Sequence, residues 1–228
     1  MGTASTPLQR RPVSFATWIG LLISLVGLPA STFALRWLLP RPVNFILILV
    51  LIFALEWIAA LAILAIVLLL ERQPLSSIHL QWPTWKQTGW AIIFWVLGLC
   101  SFAVSSQLVR ILGLGTINIS VFARVPLSLR LAIPLTAGVC EELLFRGYVI
   151  ERVRMLTGSI WLGAVISLIG FTVAHLAGFG LAGAIQIGVW AIVVTLLYVW
   201  QRNVVACMLM HALNDAYAYV LIPLLFRI

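Results

Sequence analysis

The sequence predicts an all-α protein, a polytopic bundle of about seven transmembrane helices. Hydrophobic residues make up 63% of the 228 residues, and charged residues only 9%. The apolar residues form several runs of about 20, which is the length that a helix needs to cross a bilayer. No soluble domain of this size could keep so much apolar surface from water. We therefore expect a multi-pass integral membrane protein, located in a bacterial plasma membrane.

The basic residues and the cysteines exclude two further classes of protein. The net charge of +8 is the difference between 14 Lys and Arg residues and 6 Asp and Glu residues. Nearly all of the basic residues are single residues at the ends of apolar runs. Scattered charges of this kind predict membrane lipids as partners and no nucleic acid. The three cysteines, Cys100, Cys140 and Cys207, all lie within apolar runs, so neither a disulfide framework nor a zinc ribbon is expected.

The N-terminal half begins with a basic tail at residues 1–14, and residues 15–126 form a unit of transmembrane helices with an interfacial segment. The helices are predicted at about residues 15–35, 44–70 and 89–112. Pro29 predicts a kink in the first helix. Residues 74–88 mix Trp with polar residues, which is typical of a segment that lies on the membrane surface. Residues 113–126 predict a loop or a short re-entrant piece.

The C-terminal half contains a helical core at residues 127–222 and a tail at residues 223–228. Its helices are predicted at about residues 127–150, 159–175, 181–200 and 204–222. Pro134 is acceptable inside the first of them, because neighbouring helices can satisfy the backbone group that a proline leaves unpaired. Gly178 and Gly180 predict a break between the second and the third.

Two adjacent glutamates, Glu141 and Glu142, lie inside the apolar run at 127–150. A charge at the bilayer centre costs from about 2.5 to more than about 10 kcal/mol, so such residues are functional candidates. Glu142 and Arg146 are spaced i, i+4 and can pair on one helix face. Glu141 faces about 100° away from Glu142. We expect Arg146 to hold Glu142, which leaves Glu141 available for chemistry.

Three more polar residues lie in the apolar helices that follow, namely His175, His211 and Asp215. The last two are spaced i, i+4 and share a helix face. A buried carboxylate can act as a general base toward water, and a histidine can orient that water or stabilise an oxyanion. The predicted reaction class is therefore hydrolysis.

Three motifs carry a resemblance to a known family: Glu141-Glu142-x-x-x-Arg146, Phe171-x-x-x-His175 and His211-x-x-x-Asp215. In this order, each in its own helix, they resemble the motifs of the CAAX-protease and bacteriocin-processing (CPBP, or Abi) family of intramembrane endopeptidases. The resemblance covers about residues 127–222. It implies a CPBP-like catalytic core that cleaves a membrane-associated peptide or protein, such as a prenylated CAAX-type tail or a bacterial peptide.

The resemblance also implies a role for each motif residue. Glu141 would activate the water with help from His175, and His211 with Asp215 would stabilise the oxyanion. The supporting residues would be Glu142, Arg146, Phe171 and Asn214. The last motif position often carries Asn in this family, whereas here it is Asp215. Because an ionised Asp cannot donate a hydrogen bond, Asp215 is either protonated or orients His211 instead.

Two other functions and a bound metal are alternatives to a metal-free endopeptidase. A proton-coupled transporter also places Glu, His and Asp in spanning helices, but no second, paired half is visible in the sequence. A non-catalytic immunity or scaffold protein could retain the motifs. No cofactor is expected, although Glu141, His175 and His211 could form a two-histidine, one-carboxylate zinc site. Glu56 is interpreted as a structural polar contact or a pore-facing residue, and His79 as interfacial and solvated.

Overall fold

The computed structural model describes residues 14–39, 44–115 and 120–226. Within these ranges the chain is helical and has no strand, which confirms the predicted fold class. The helices are α1 (Phe15–Leu22, Ile23–Gly27 and Leu28–Leu38), α2 (Phe45–Leu70), α3 (Trp85–Ile111), α4 (Ser120–Ala123), α5 (Leu127–Glu141, Glu142–Val149 and Ile150–Thr157), α6 (Ile160–Ala174), α7 (Leu176–Gln201) and α8 (Val204–Phe226). The middle segments of α1 and α5 are wider, π-helical turns. Residues 1–13 of the predicted tail lie outside the described ranges.

Five of the described helices are long and apolar enough to cross a membrane, namely α1, α2, α3, α7 and α8. Helix α6 is apolar but has only 15 residues, so at about 1.5 Å per residue it is shorter than a bilayer core of about 30 Å. Many large apolar side chains on these helices are exposed, among them Leu61, Ile111 and Leu181. An apolar outer surface of this kind is that of an integral membrane protein.

Helix α1 is irregular where Pro29 predicts a kink. Ser14 caps its start by accepting a hydrogen bond from the backbone N–H of Thr17. The π-helical segment Ile23–Gly27 ends two residues before Pro29. A proline removes one N–H donor from the helix ladder, and a wide turn is one of the ways in which a helix accommodates such a defect.

The segment between α2 and α3 leaves the helical path and then starts α3 earlier than expected. It contains one short 3₁₀ turn, Leu75–Ile78. Trp82 in this segment and Trp85 at the start of α3 are almost fully exposed. Thr84 and Gln87 form a capping box, in which each side chain bonds the backbone of the other residue. This cap begins α3 at Trp85, four residues before the predicted start, because the box satisfies the free N–H groups of the first turn.

Two helices of the C-terminal half extend beyond their predicted ends, and one begins earlier. Helix α5 continues to Thr157 and ends at Gly158, whose φ of 81° suits glycine. Helix α7 begins at Leu176, and the predicted break appears as a kink at Gly180, where φ is 65°. Helix α8 continues to Phe226, through most of the residues predicted as a tail.

The main apolar core surrounds α5 and draws on both halves of the chain. From the N-terminal helices it includes Leu21, Ile63 and Ala91, and from the C-terminal helices Tyr148 and Trp190. All eight residues of the π-helical segment Glu142–Val149 are buried. The division of the chain at residue 126 stays a prediction, while the core shows that the N-terminal helices help to enclose the motif helix.

The first half of an ion-pair network lies at the C-terminal end of α5. The Arg152 guanidinium donates to Oε2 of Glu71, with the closest approach at 2.7 Å, and both side chains are buried. Oε1 of Glu71 accepts from the Tyr148 hydroxyl at 2.9 Å and from the Thr17 hydroxyl at 2.8 Å. These bonds tie α1 and α2 to α5.

The second half of this network ties α5 to α7. Oε1 of Glu151 accepts from the Tyr198 hydroxyl at 2.7 Å, and Oε2 accepts from Arg202 at 2.7 Å and from Arg154 at 3.1 Å. His79, predicted to be solvated, instead accepts from Arg202 at 2.8 Å. Burial lowers the pKa of His79, although the carboxylate of Glu151 opposes this shift. We call Glu71, Glu151, Arg152 and Arg202, with their partners, the end network.

Candidate active site

Glu142 and Arg146 form a buried ion pair in the middle of α5. Nη1 of Arg146 donates to Oε1 of Glu142 at 2.9 Å, and both side chains are 0% exposed. The pairing predicted from their spacing is therefore present. The Arg146 guanidinium also lies 4.2 Å from the centroid of the Phe171 ring, which is a cation–π contact. Phe171, a residue of the second motif, thus supports Arg146 from α6.

Helices α5 and α8 cross closely enough for the first and third motifs to touch. A Cβ at Gly138 would lie 3.2 Å from both the backbone N of Ala212 and the backbone O of Met208, so this position needs a glycine for the present spacing. One turn further along α5, Oε1 of Glu142 lies 2.8 Å from Nδ1 of His211. Because a carboxylate oxygen accepts, Nδ1 is the donor in this bond.

The contact between Glu142 and His211 bears on the open role of Asp215. With Nδ1 held by Glu142, the opposite ring nitrogen, Nε2, lies 3.6 Å from Oδ2 of Asp215 and 4.0 Å from Oε2 of Glu141. Glu142 therefore orients the His211 ring, and Asp215 lies on the side where Glu141 is. Asn214 donates to Oδ1 of Asp215 at 3.4 Å.

His175 approaches Glu141 from the junction of α6 and α7. Its Nδ1 donates to the backbone carbonyl of Phe171 at 2.8 Å, which directs Nε2 toward Oε1 of Glu141 at 3.9 Å. This distance is too long for a direct hydrogen bond and is compatible with a bridging water. Among the described residues, Oε2 of Glu141 has no hydrogen-bond partner although it is buried.

All four predicted catalytic residues line a single cavity of about 740 Å³. Glu141, His175, His211 and Asp215 are joined there by the motif residues Phe171 and Asn214, while Glu142 and Arg146 are buried behind them. Most of the remaining lining is apolar and comes from α2, α3, α7 and α8. The structure thus combines the Glu141 carboxylate and two imidazoles with a large apolar chamber, which is a suitable arrangement for hydrolysis of an apolar substrate.

Several aromatic residues of the site were not predicted from the sequence. For Glu56, the sequence predicted a polar environment but not its position in the site. The Trp190 ring packs edge-on against His211 at 4.7 Å, and Phe179 stacks on His175 at 5.9 Å. Aromatic residues in apolar helices form no motif, so no sequence signal marks them. Glu56 also lines the cavity, which agrees with the pore-facing interpretation.

The metal alternative gains no support from the site geometry. Among the residues that the structure describes, no three His, Cys, Asp or Glu side chains are arranged to hold a metal ion. The expectation of a cofactor-free enzyme stays a prediction.

Comparison with known proteins shows which family the C-terminal half is similar to. Residues 123–217 match the sequence model of a family described as "Rce1-like: Type II CAAX prenyl endopeptidase Rce1-like". The match includes all three motifs and confirms the resemblance. Searches of the curated proteins and of the solved structures found no match.

The fold is that of an integral membrane protein, and its motif-bearing part resembles a family of membrane endopeptidases. Five described helices can span a bilayer, and the motif residues line one cavity among them. Residues 123–217, which are less than half of the 228-residue chain, are similar to this family of CAAX-type endopeptidases.

Proposed function

We propose that this protein is an intramembrane endopeptidase that hydrolyses a peptide bond in a membrane-associated protein or peptide, with a water activated by Glu141. The observation that carries this proposal is the position of the Glu141 carboxylate. It lies 3.9 Å from Nε2 of His175 and 4.0 Å from Nε2 of His211, inside the large cavity. These gaps leave room for a water between the carboxylate and an imidazole.

In this mechanism Glu141 is the general base. It accepts a proton from the water as the water oxygen forms a bond to the carbonyl carbon of the substrate, and the carbonyl oxygen becomes an oxyanion. The same proton then passes from Glu141 to the amide nitrogen as the C–N bond breaks. The products are a carboxylic acid and an amine. His175 holds the water through Nε2, because its Nδ1 is bonded to Phe171.

His211 and Asp215 would stabilise the oxyanion, since both line the cavity beside Glu141. When both ring nitrogens are protonated, His211 donates to Glu142 through Nδ1 and toward the oxyanion through Nε2. Because Glu142 already orients the ring, Asp215 is not needed for that purpose. We assign Asp215 to the oxyanion side, where its protonated form would be a second donor.

The apolar cavity favours a lipidated or strongly apolar substrate. Its lining includes Phe45, Phe53, Phe102 and Phe122, which would contact a hydrocarbon chain rather than a charged segment. A prenylated CAAX-type protein tail fits this chemistry best, and a bacterial peptide is the other candidate. The expected location is a bacterial plasma membrane, where both the lipid and the substrate would be partners.

Cleavage of a defined peptide tests the proposal. Purified protein in lipid nanodiscs is mixed with an internally quenched CAAX peptide, either farnesylated or without the lipid. We expect cleavage of the farnesylated peptide, loss of cleavage in Glu141→Gln, and full activity in the presence of a chelator. No cleavage of either peptide, or normal cleavage by Glu141→Gln, would contradict the proposal. Inactivation by the chelator that zinc reverses would favour a metal enzyme.

A further inference from the structure

A second, smaller cavity adjoins the large one behind Glu141 and His175. It measures about 110 Å³, whereas one water occupies about 30 Å³ in the liquid. Glu56, Glu141 and His175 line both cavities, which therefore meet at these side chains. The smaller cavity is bounded by α1, α2, α5, α6 and α7, and neither Asp215 nor His211 lines it.

The smaller cavity has a polar lining although it lies among membrane-spanning helices. Besides Glu56, Glu141 and His175, it is lined by Ser31 and Thr32 of α1, of which Thr32 also lines the larger cavity. A buried water needs two to four polar partners, so a set of five polar side chains can hold more than one. An apolar substrate gains nothing from such a lining, whereas a hydrolytic enzyme inside a membrane must keep water close to its general base.

Glu56 is the titratable residue of this cavity that the proposed mechanism does not use. Its side chain is 7% exposed, and its Oε2 atom has no hydrogen-bond partner among the described residues. On the next position of α2, the Trp57 indole donates to the Thr136 hydroxyl of α5 at 3.1 Å, which fixes α2 against the motif helix. An unbonded carboxyl oxygen is costly in an apolar interior, and a polar ligand in the cavity would remove this cost.

We propose that the smaller cavity holds the hydrolytic water and that Glu56 is a positioning residue that anchors this water beside Glu141. The inference rests on the proposed function of Glu141 as the general base. The role of Glu56 is hydrogen bonding rather than charge. Glu56 and Glu141 line the same small cavity, and a negative charge on Glu56 would repel the carboxylate of Glu141.

Two substitutions of Glu56 test this role by kinetics. Glu56→Leu removes both oxygens at similar volume, and we expect kcat to fall about 100-fold while KM stays unchanged, because the water loses its position and the substrate does not. Glu56→Gln keeps a donor and an acceptor and is expected to retain most of kcat. Normal kcat in a folded Glu56→Leu variant, an effect on KM alone, or equal loss in the Gln and Leu variants would each overturn the proposal.

Replacing one alanine of each cavity by leucine distinguishes the roles of the two cavities. Ala174 lines only the smaller cavity and Ala137 only the larger one, and both are half-buried. We expect Ala174→Leu to lower kcat by displacing water and Ala137→Leu to raise KM by narrowing the substrate chamber. Ser31→Val replaces Ala174→Leu if melting curves show that the latter does not fold. The reverse pattern would overturn the assignment of the cavities.

Radiolytic hydroxyl labelling detects bound water without any cleavage assay. Phe145 lines the smaller cavity and Phe171 the larger one, and each side chain is 1% exposed. We expect labelling of Phe145 in the wild-type protein and a lower ratio of Phe145 to Phe171 labelling in Glu56→Leu. An unchanged ratio would overturn the water site. If the wild-type protein labels as expected but cleaves no peptide, the proposed function fails and the water site stands.

Discussion

Helix α5 carries two groups of charges, about 15 Å apart along its axis, and they differ in how completely they are bonded. In the end network, both oxygens of Glu71 and both oxygens of Glu151 accept hydrogen bonds. In the middle of the helix, Oε2 of Glu141 and Oε2 of Glu142 have no partner among the described residues, although both are buried.

This difference distinguishes charged residues that stabilise the fold from charged residues that take part in the reaction. A buried carboxylate whose hydrogen-bonding capacity is filled by the protein has nothing left for a substrate, and its removal costs stability. A carboxylate with an unbonded oxygen lowers stability and is retained where a water or a substrate completes its bonding. On this basis we propose structural roles for Glu71 and Glu151 and a catalytic role for Glu141. Glu142 also has one unbonded oxygen, but its other oxygen accepts from Arg146 and His211, so we propose a supporting role for it.

The largest expected effect is the loss of activity in Glu141→Gln. The amide keeps the size of the side chain but cannot accept the proton of the water, so we expect kcat to fall by about 100- to 10,000-fold. The melting temperature should hardly change, because Glu141 makes no close bond that the fold depends on. A stable Glu141→Gln variant with normal cleavage would assign the base to another residue, and Glu142→Gln would be the next to test.

The second largest effect is expected for Glu142→Ala, which changes both stability and activity. It leaves Arg146 buried without its carboxylate, a defect that costs about 3 to 5 kcal/mol. It also removes the acceptor that orients His211, so kcat should fall even at temperatures where the variant is folded. Glu142→Gln is the control, since its amide oxygen can still accept from Nδ1. A Glu142→Ala variant that melts like the wild-type protein would contradict the structural importance of the pair.

The third effect is expected in the end network and concerns stability alone. Arg152→Met removes the charged donor of Glu71, while Tyr148 and Thr17 remain as donors. We therefore expect a smaller loss, about 1.5 to 3 kcal/mol in the free energy of unfolding. Thermal unfolding and kcat are measured on the same sample. A drop in kcat below the melting transition would show that the end network also influences the site, and would weaken the comparison.

How much of the site the sequence predicts depends on the distance between partners along the chain. The pair of Glu142 and Arg146 follows from helix geometry alone, since the residues are four positions apart. The bond between Glu142 and His211 joins residues 69 positions apart, and that between Tyr148 and Glu71 joins residues 77 apart. Such contacts depend on how helices cross, for example at Gly138, and no single helix pattern encodes a crossing.

The fold was more accessible to prediction than the site, for a physical reason. Long apolar runs fix the number of helices, because only a helix satisfies its own backbone in lipid. Helix ends are set by local caps, and here the capping box of Thr84 and Gln87 placed the start of α3 where apolar content alone did not. Glu56 is intermediate: its isolated charge predicted a polar environment, but only the packing of α2 on α5 shows which cavities it lines.

The smallest effect is expected for Asp215→Asn. This substitution tests what Asp215 of α8 contributes to the site around the two glutamates in the middle of α5. If Asp215 oriented His211, the amide should impair catalysis, as it does where a carboxylate fixes the tautomer of an imidazole. In the structure Glu142 holds Nδ1 of His211 at 2.8 Å, whereas Asp215 lies 3.6 Å from Nε2. Asparagine offers a permanent neutral donor on the oxyanion side. We therefore expect equal or higher kcat.

A pH–rate profile for Asp215→Asn makes this last test independent of the absolute rate. If wild-type catalysis needs the protonated form of Asp215, its rate falls as pH rises and Asp215 ionises, and the variant should lose that decline, because an amide does not titrate. Asp215→Ala is the control, since it removes the donor and should be slower than the Asn variant at every pH. A strongly impaired Asn variant with an otherwise unchanged profile would mean that the negative charge of Asp215 is required. Its task would then be to keep both nitrogens of His211 protonated, and the oxyanion would depend on His211 alone.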